Sequence, residues 1–544
     1  MNKPPSSLHE ERLAAAVEHA QQKVAAGERA LIEVFIREYY RQVDPDDLAA
    51  RSADDLAGAA LSHWELGRVR APGAPRVRVF SPTAAEHGWA VRHTVIEVVN
   101  DDMPFLVDSA TMEANRQGLT MHLRVHPVYA VERDPAGALT GLWPRGDRPQ
   151  ATRESWMHIE VDRLVEPEAR ARLAAGIERV LGDVRAVTAD WKQMLARLID
   201  VVSELDGKVP EGAQAELAES RGFVEWLAAG NFLLLGYRRH DLVTENGEDA
   251  LRLVPDTGLG VLRESGEEKV SGSFAALPKQ ARAMARLPTP LVILTKANAR
   301  ATVHRPGYVD YIGIKRFADD GRVIGEHRFL GLLTSTAYSA RVIDIPLLRG
   351  KVAAVITRAG LAPDSHLGKA LVQILESYPR DELFQIGADE LYDNAMGILR
   401  LGERQRLRLF IRRDPFERFV TCLVFVPREN YGTDLRIKFQ DILMKAFAGT
   451  SREFDVLLTD DILARILFTV RTTPGEVPEV DRHELEAALA AAARRWEDEL
   501  AEALIEAEGE GNGTAWFKRW QRAFPGAYRE RTAPRAAVAD IRKL

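Results

Sequence analysis

Apolar residues recur at intervals of three and four through the first part of the chain. This spacing is typical of amphipathic helices. Asp44 before Pro45, and Ser52, have the residue types of helix N-caps and a first-turn proline. The pattern predicts an N-terminal helical region over residues 1–75. Its apolar positions between residues 8 and 40 are Leu13, Val17, Ala20, Val24, Leu31, Phe35 and Tyr39.

Residues 76–205 change to short apolar runs separated by turn residues, which indicates strands. The second strand, 94–99, precedes a predicted helix at 104–116, one long strand at 120–132, a strand at 155–161 and a helix at 167–181. The resulting β-α-β-β-α order is typical of a ferredoxin-like sandwich. A separate helix over 191–205 closes this unit.

The next two segments differ in their share of strand. Residues 206–340 begin with a helical stretch and continue with "FLLLGYRRHDL", "PLVILTKANA", "YVDYIGIKRF" and "GEHRFLGLLTS", which predict a second, mostly β unit. Residues 341–403 have helical spacing interrupted by Gly360, Pro363 and Pro379, and they predict a helical linker.

The last third of the chain predicts another sandwich and then helices. Residues 404–475 give the order β-β-α-β-β, and residues 476–544 form a helical region that begins with one long helix from Asp481 to Glu508. The whole chain is therefore predicted to be a multidomain α+β protein.

Composition excludes several functional classes. The 544 residues are 46% hydrophobic and 28% charged, and the net charge is −7. The chain therefore lacks the excess of positive charge that is typical of proteins that bind nucleic acid. Its single cysteine, Cys422, lies in an apolar run and predicts a buried thiol rather than a disulfide or a cysteine-rich metal site. No segment approaches the roughly 20 apolar residues needed to cross a membrane, and the N-terminus has no signal peptide. We expect a cytoplasmic protein.

The stretch "VVNDDMPFLVDS" places two adjacent carboxylates, Asp101 and Asp102, between a strand and a helix. Three interpretations are open. The side chains can cap the helix, which we favour, or act as an acid and base pair in catalysis. Alternatively, the backbone N–H groups at the helix start can bind a small anion.

His122 and His126 suggest a metal site at first sight. They are four apart on a predicted strand and therefore roughly 13 Å from each other, too far to share one metal ion. We therefore predict no metal site.

Residues 295–316 are rich in basic side chains. They predict either anion contacts, at Lys296, Arg305 and Lys315, or a solvated polar edge.

Motifs for catalysis are missing from the sequence. Gly258 and Gly260 lack the third glycine and the βαβ context of a dinucleotide fingerprint, and neither a P-loop, a nucleophile elbow nor an HExxH motif occurs. We predict that this chain has no catalytic residue and binds no cofactor.

Several long strings of the sequence carry a resemblance to a known family, and the string at 295–339 is the most specific because no generic fold requires its order of residues. The strings "VVNDDMPFLVDS", "HPVYAVERDPAGAL", "TKANARATVHRPGYVDYIGIKRFADDGRVIGEHRFLGLLTSTAYS", "LAPDSHLGKALVQILESYPRDELFQI" and "LRLFIRRDPFERFVTCLVFVPRENYGTDLR" resemble the N-terminal region of the large bacterial NAD-specific glutamate dehydrogenases. The resemblance covers essentially the whole chain. It implies ACT-like domains at 76–205 and 404–475 and a PAS-like or second ACT-like unit at 206–340. It also implies a catalytic domain that binds NAD far downstream, beyond these residues.

The same resemblance bears on the Asp101-Asp102 loop. ACT domains that bind amino acids usually have Asp-x-Pro-Gly at the end of the first strand, whereas here Asp102-Met103-Pro104 is followed by Phe105. A phenyl ring in place of glycine predicts a loop filled by the protein's own core, with weak amino-acid binding.

Three functional hypotheses follow. The favoured one is a regulatory and assembly segment that forms a homo-oligomer and contacts the downstream catalytic domain. The second is a module that senses a small amino-acid effector and acts on a partner protein. The third is an enzyme of a new type that uses Asp101, Asp102 and His122.

Self-association is predicted, with the sandwich at 404–475 and the helix that follows it as the contact. Small alanines allow close helix approach, and large aromatic residues offer area for burial, although these aromatics can equally pack within the chain. The residues concerned are Ala487, Ala488, Ala491, Ala492, Trp496, Trp516, Phe517 and Trp520.

Overall fold

The computed structural model describes residues 5–205, 207–245, 247–263, 272–275, 282–402, 404, 406–457 and 461–544. Helices form the N-terminal region as predicted. The Asp44 carboxylate accepts a hydrogen bond from the Asp46 backbone N–H, and the Ser52 hydroxyl accepts one from Asp55, so both predicted caps are confirmed. The helices are Pro5–Lys23, Arg29–Tyr39, Pro45–Ala49 and Ala53–Gly67.

The first sheet has six antiparallel strands in the order β1-β2-β6-β4-β5, with β3 also paired to β6. Apolar residues of the N-terminal helices, including Phe35 and Trp64, pack against Trp156 on β6. The strands are β1 Arg76–Phe80, β2 Thr94–Asp101, β3 Met121–Val125, β4 Val128–Arg133, β5 Leu139–Pro144 and β6 Thr152–Val161. The helices Ala84–His87 and Leu106–Arg116 lie between these strands.

The strands of this unit differ from the predicted ones in two places. The single strand expected at 120–132 is interrupted at His126-Pro127, because Pro127 has no N–H to donate to a ladder. Strand β5 was not predicted at all: it is short and contains Gly141, which weakens the strand pattern.

The helices expected at 167–181 and 191–205 are one 38-residue helix, Pro167–Glu204. Its buried face runs from Leu173 to Val201 and is apolar except at Asp190, and glycine at 176 and 182 does not break the helix. The helix packs against Ile96 and Val98 of the first sheet and against Leu234 of the second, within one continuous core. The first two units are therefore joined by a shared core.

The second sheet has the strand order β10-β11-β12-β7-β8, with β9 paired to β7, and its pairings are antiparallel. The predicted mostly β character of this unit is confirmed. Its strands are β7 Phe232–Glu245, β8 Glu248–Leu253, β9 Leu259–Gly260, β10 Val292–Arg300, β11 Tyr308–Phe317 and β12 Val323–Leu333. The helices Gln214–Trp226, Gly272–Ala275 and Ser335–Ser339 accompany them.

A helical segment connects the second sheet to the third, as predicted. The third sheet has the order β13-β14-β16-β15, and the predicted β-β-α-β-β sequence of elements is confirmed. Cys422 is fully buried on β14, as expected, and burial raises the pKa of its thiol. The connecting helices are Leu348–Ala359, His366–Ser377, Arg380–Gln385 and Ala388–Leu401. The third unit comprises β13 Arg408–Arg413, β14 Phe419–Pro427, helix Thr433–Ala446, β15 Ser451–Leu457 and β16 Leu463–Arg471.

The long helix expected from Asp481 to Glu508 is two helices. The first ends at Ala492 and the second begins at Trp496, because the backbone of Arg495 is extended between them. Of the helices in the described residues, none is long and apolar enough to cross a membrane. The C-terminal helices are Arg482–Ala492, Trp496–Trp520, Gly526–Arg531 and Pro534–Ile541.

Candidate functional site

Asp101 lies at the end of β2 and forms two ion pairs. Its carboxylate oxygens lie 2.6 Å from the Arg70 guanidinium and 2.8 Å from that of Arg185. Burial acts to raise the pKa of Asp101, but hydrogen bonds from the two arginines outweigh it and hold the pKa below its ordinary value. Arg70 also pairs with Glu154, which is fully buried. This arrangement is a structural ion-pair network.

The prediction that Asp101 and Asp102 cap the following helix is wrong. That helix begins at Leu106, two residues later than expected, and its N-cap residue is Phe105, whose side chain makes no capping hydrogen bond. Asp102 instead lies 3.7 Å from the exposed guanidinium of Arg145. Each carboxylate is thus directed toward arginines rather than toward the first turn of the helix.

Phe105 fills the loop as the sequence predicted. Its side chain packs against the shared core, and its ring centroid lies 5.0 Å from that of His304 in the second unit. Its φ of 72° is in the left-handed region, which favours glycine. A non-glycine residue here exchanges backbone strain for contact between the two units.

Lys296 is largely buried between two carboxylates. Its ammonium lies 2.6 Å from the carboxylate of Asp310 and 3.1 Å from that of Asp381. Burial acts to lower the pKa of Lys296, but the two carboxylates outweigh it and raise the pKa. Its charge is therefore balanced within the chain, between strand β10 and the helix Arg380–Gln385.

The two histidines have separate partners. The Nε2 atom of His122 lies 2.7 Å from Asp162, and that of His126 lies 2.7 Å from the hydroxyl of Ser155. The ring of His122 also stacks on that of His93 at 4.1 Å. Within the part of the chain that the structure describes, no three His, Cys, Asp or Glu side chains are grouped to hold a metal ion.

Lys315 lines a cavity of about 100 Å³ between the second sheet and the third unit. Its ammonium donates hydrogen bonds to the backbone carbonyls of Leu287 and Met284, at 2.5 and 3.3 Å. Burial lowers the pKa of Lys315 to about 8. The other lining residues include Leu242, Leu251, Phe274, Ile293, Thr295, Tyr311, Glu326, Phe416 and Arg418.

Arg305 lies elsewhere, in a cleft of about 560 Å³ between the first and second units. We call this feature the basic cleft. Of the five residues that the sequence suggested as ligand contacts, Arg305 lines this cleft, whereas Lys315 lines the cavity described above and not this one. The basic cleft is lined by Asp108, Thr111, Met112, Asn115, Arg116, Arg124, Arg300, Ala301, His304, Arg305, Pro306 and Gly307.

Sequence reasoning missed the arginines that complete these sites. Arg70 and Arg185 at the Asp101 junction, and Arg116 and Arg124 in the basic cleft, belong to no local motif. Only the tertiary fold brings them together, so no signal in a single sequence identifies them.

Four domain models match successive parts of the chain. Their descriptions are "Glutamate dehydrogenase, ACT1 domain" at residues 35–177, "helical motif 1" of the same enzyme at 345–404, its "ACT2 domain" at 408–497 and its "helical motif 2" at 503–544. The two ACT matches fall on the units of the first and third sheets.

Curated proteins that are similar to this chain are also glutamate dehydrogenases. The chain is 40% identical over 532 residues to the NAD-specific glutamate dehydrogenase of Halomonas elongata, covering 97% of this chain and 33% of the relative. It is 38% identical over 526 residues to the enzyme of that name from Pseudomonas aeruginosa, covering 95% and 32%. The enzyme of the same name from Mycobacterium tuberculosis is 31% identical over 498 residues, covering 88% and 29%. The chain thus spans about a third of the length of these relatives.

Proposed function

We propose that this chain is a regulatory and assembly segment of an NAD-specific glutamate dehydrogenase. The domain matches and the relatives support the family. The family's reaction is the NAD-dependent oxidative deamination of L-glutamate to 2-oxoglutarate. In this proposal the reaction takes place in a catalytic domain outside these 544 residues.

One observation carries the proposal. Every strand pairing in the three described sheets is antiparallel. A dinucleotide-binding domain needs parallel strands in βαβ units, with the pyrophosphate at a helix N-terminus. The described residues supply antiparallel sandwiches instead, which suit ligand sensing and association.

The arrangement of the units supports a regulatory role. The second unit contacts both ACT-type units: Phe105 of the first packs against His304, and Arg300 pairs with Glu453 of the third at 2.5 Å. Arg471 of the third unit also lies over the ring of Tyr308 at 3.5 Å. A change in one ACT-type unit therefore has direct routes to the other through the second unit.

We further propose that the unit at 206–340 is PAS-like. Its first and last long strands, β7 and β12, pair at the centre of the sheet, and the remaining strands extend to either side. This arrangement supports a PAS-type rather than a third ACT-type sheet. The cavity beside Lys315 lies on this sheet, as a ligand-sensing unit requires.

The second candidate function is an amino-acid-sensing module that acts on a partner protein. The two cavities that border the second unit favour it. It requires a ligand that binds two states with different affinities.

Calorimetric titration of the purified chain with NADH tests the proposal. We expect no saturable heat of binding, because the antiparallel units offer no dinucleotide site. The full-length Pseudomonas aeruginosa relative serves as the positive control. Saturable binding to this chain with an affinity like that of the control would contradict the proposal.

A further inference from the structure

The basic cleft lies where the first two units meet. The helix Leu106–Arg116 and strand β3 form one side, and the loop between β10 and β11 forms the other. The backbone N–H of His304 in that loop donates a 3.0 Å hydrogen bond to the hydroxyl of Ser109 on the helix. The cleft is therefore built by contacts across the unit boundary.

The charges in the cleft are unbalanced. Four arginines line it, with one carboxylate, that of Asp108. Arg116 is paired with Glu113 at 2.6 Å, and Arg300 with Glu453 at 2.5 Å. Among the residues that the structure describes, the other two arginines have no carboxylate partner. These two are Arg124 and Arg305.

The two unpaired arginines come from opposite sides. Arg124 is exposed on β3 of the first unit. Arg305 is fixed on the second unit, where its guanidinium donates a 3.0 Å hydrogen bond to the carbonyl of Leu333 and lies over the ring of Tyr338. A guanidinium has five N–H donors, so this single hydrogen bond leaves most of them for a ligand.

The loop that carries Arg305 has an unusual backbone conformation at the preceding residue, His304. His304 has a φ of 76°, a strained conformation for a residue other than glycine. Its buried Nδ1 atom has no hydrogen-bond partner among the described residues. Strain and an unpartnered polar atom at one position are typical of functional sites rather than of loops selected for stability.

We propose that the basic cleft binds a small anion carrying at least two carboxylate or phosphate groups, one held by Arg124 and the other by Arg305. Arginine matches the two oxygens of either group with a pair of parallel hydrogen bonds. The inference goes beyond the proposed function, because binding of the anion to the cleft does not depend on which reaction the full protein catalyses.

Such a ligand bridges the first two units. Arg300 extends the bridge to the third unit, because the residue lines the cleft and pairs with Glu453. Occupancy of the cleft therefore strengthens the contact between the first and second units and adds an anion beside the ion pair to the third.

Calorimetry on the purified chain with succinate and, separately, inorganic pyrophosphate tests the site. We expect at least one of them to bind with a Kd below about 1 mM. Arg124→Gln and Arg305→Gln should each weaken that binding by about tenfold or more. Arg322→Gln is the matched control, since Arg322 is an exposed arginine of the second unit outside the cleft, and it should leave the affinity unchanged.

The outcomes separate the sources of the ligand. Binding of succinate alone identifies a dicarboxylate, binding of pyrophosphate alone identifies a phosphate compound, and either supports the site. Neither ligand binding at about 10 mM, or affinity that Arg124→Gln leaves unchanged, overturns it. Arg124 has no partner to lose within the described residues, so this variant should fold normally, which circular dichroism can verify.

Discussion

The guanidinium of Arg70 donates a 2.6 Å hydrogen bond to the carboxylate of Asp101, across 31 residues of sequence. Arg70 is almost completely buried, and it also holds the fully buried Glu154. The pair links the end of the N-terminal helical region to the end of β2. Asp101 thus connects two parts of the chain through its ion pair with Arg70 and does not cap the following helix.

Replacing Asp101 should destabilise the protein. Asp101→Asn removes a charge partner from Arg70 and Arg185, and we expect a loss of about 2 kcal/mol in the free energy of unfolding, measured by urea denaturation. Asp102→Asn is the matched control, because Arg145 beside it is exposed, and it should cost less than about 0.5 kcal/mol. Equal effects of the two substitutions would refute the assignment.

The same contacts predict an acid dependence. The pKa of Asp101 in the folded protein lies below its ordinary value of 3.8. Its stabilising contribution is therefore present above pH 3.8 and is lost as the pH falls below that value toward the folded pKa. Asp101→Asn should lose less stability than the wild type over this range. Parallel acid titrations would speak against the ion pairs.

Phe105 offers a test of the left-handed backbone position. Phe105→Ala loses packing against the core and His304 while keeping the strain, whereas Phe105→Gly loses the same packing and relieves it. We expect Phe105→Gly to be more stable than Phe105→Ala by about 1 kcal/mol in urea denaturation. At an ordinary helical position the order would be reversed, so a less stable glycine variant would contradict the assigned conformation.

Lys315 should give an alkaline signature. Its pKa of about 8 in the folded protein lies below its ordinary value of 10.5, so the unfolded state binds more protons between these values. The wild-type protein should therefore gain stability as the pH rises from 8 to 10.5, by at most about 3 kcal/mol. Lys315→Met lacks this gain. The urea midpoints of both proteins across this pH range measure the difference. The same pH dependence in both proteins would contradict a lowered pKa of Lys315.

The C-terminal helices separate stability from self-association. Trp516, Phe517 and Trp520 pack against a core cluster of their own chain, which confirms the alternative of intrachain packing for these residues. Ala488 and Ala491 remain exposed on the helix Arg482–Ala492.

We therefore expect Trp516→Ala to lower stability without changing the mass measured by analytical ultracentrifugation. Ala488→Glu should reduce self-association with little effect on stability, since a charge on the exposed alanine face disfavours close helix approach. A wild-type chain that stays monomeric at high micromolar concentration would remove the assembly part of the proposal.

Local rules accounted for much of the fold. The caps at Asp44 and Ser52 and the β-β-α-β-β order of the third unit depend on residues close together in sequence, and both were predicted. The Asp101 site was not, because Arg185 lies 84 residues away and only the long helix Pro167–Glu204 brings it near. Two strand errors arose where Pro127 and Gly141 interrupt the alternation of apolar residues.

The candidate sites depended even more on tertiary structure. The basic residues in 295–316 form a group in the sequence, yet in the fold Lys296 forms ion pairs with two carboxylates, whereas Lys315 and Arg305 line different cavities. A sequence shows which charges exist, but their partners depend on elements that meet only after folding. The basic cleft needed Arg124 from a separate unit, and no spacing in the sequence indicates it.

Glutamate oxidation by the purified chain tests the central claim most directly. The assay supplies L-glutamate and NAD and follows NADH formation, with the full-length Pseudomonas aeruginosa relative as the positive control. We predict no NADH above the enzyme-free blank, because the antiparallel units carry no dinucleotide fold. Steady NADH formation that scales with the concentration of this chain would contradict the claim.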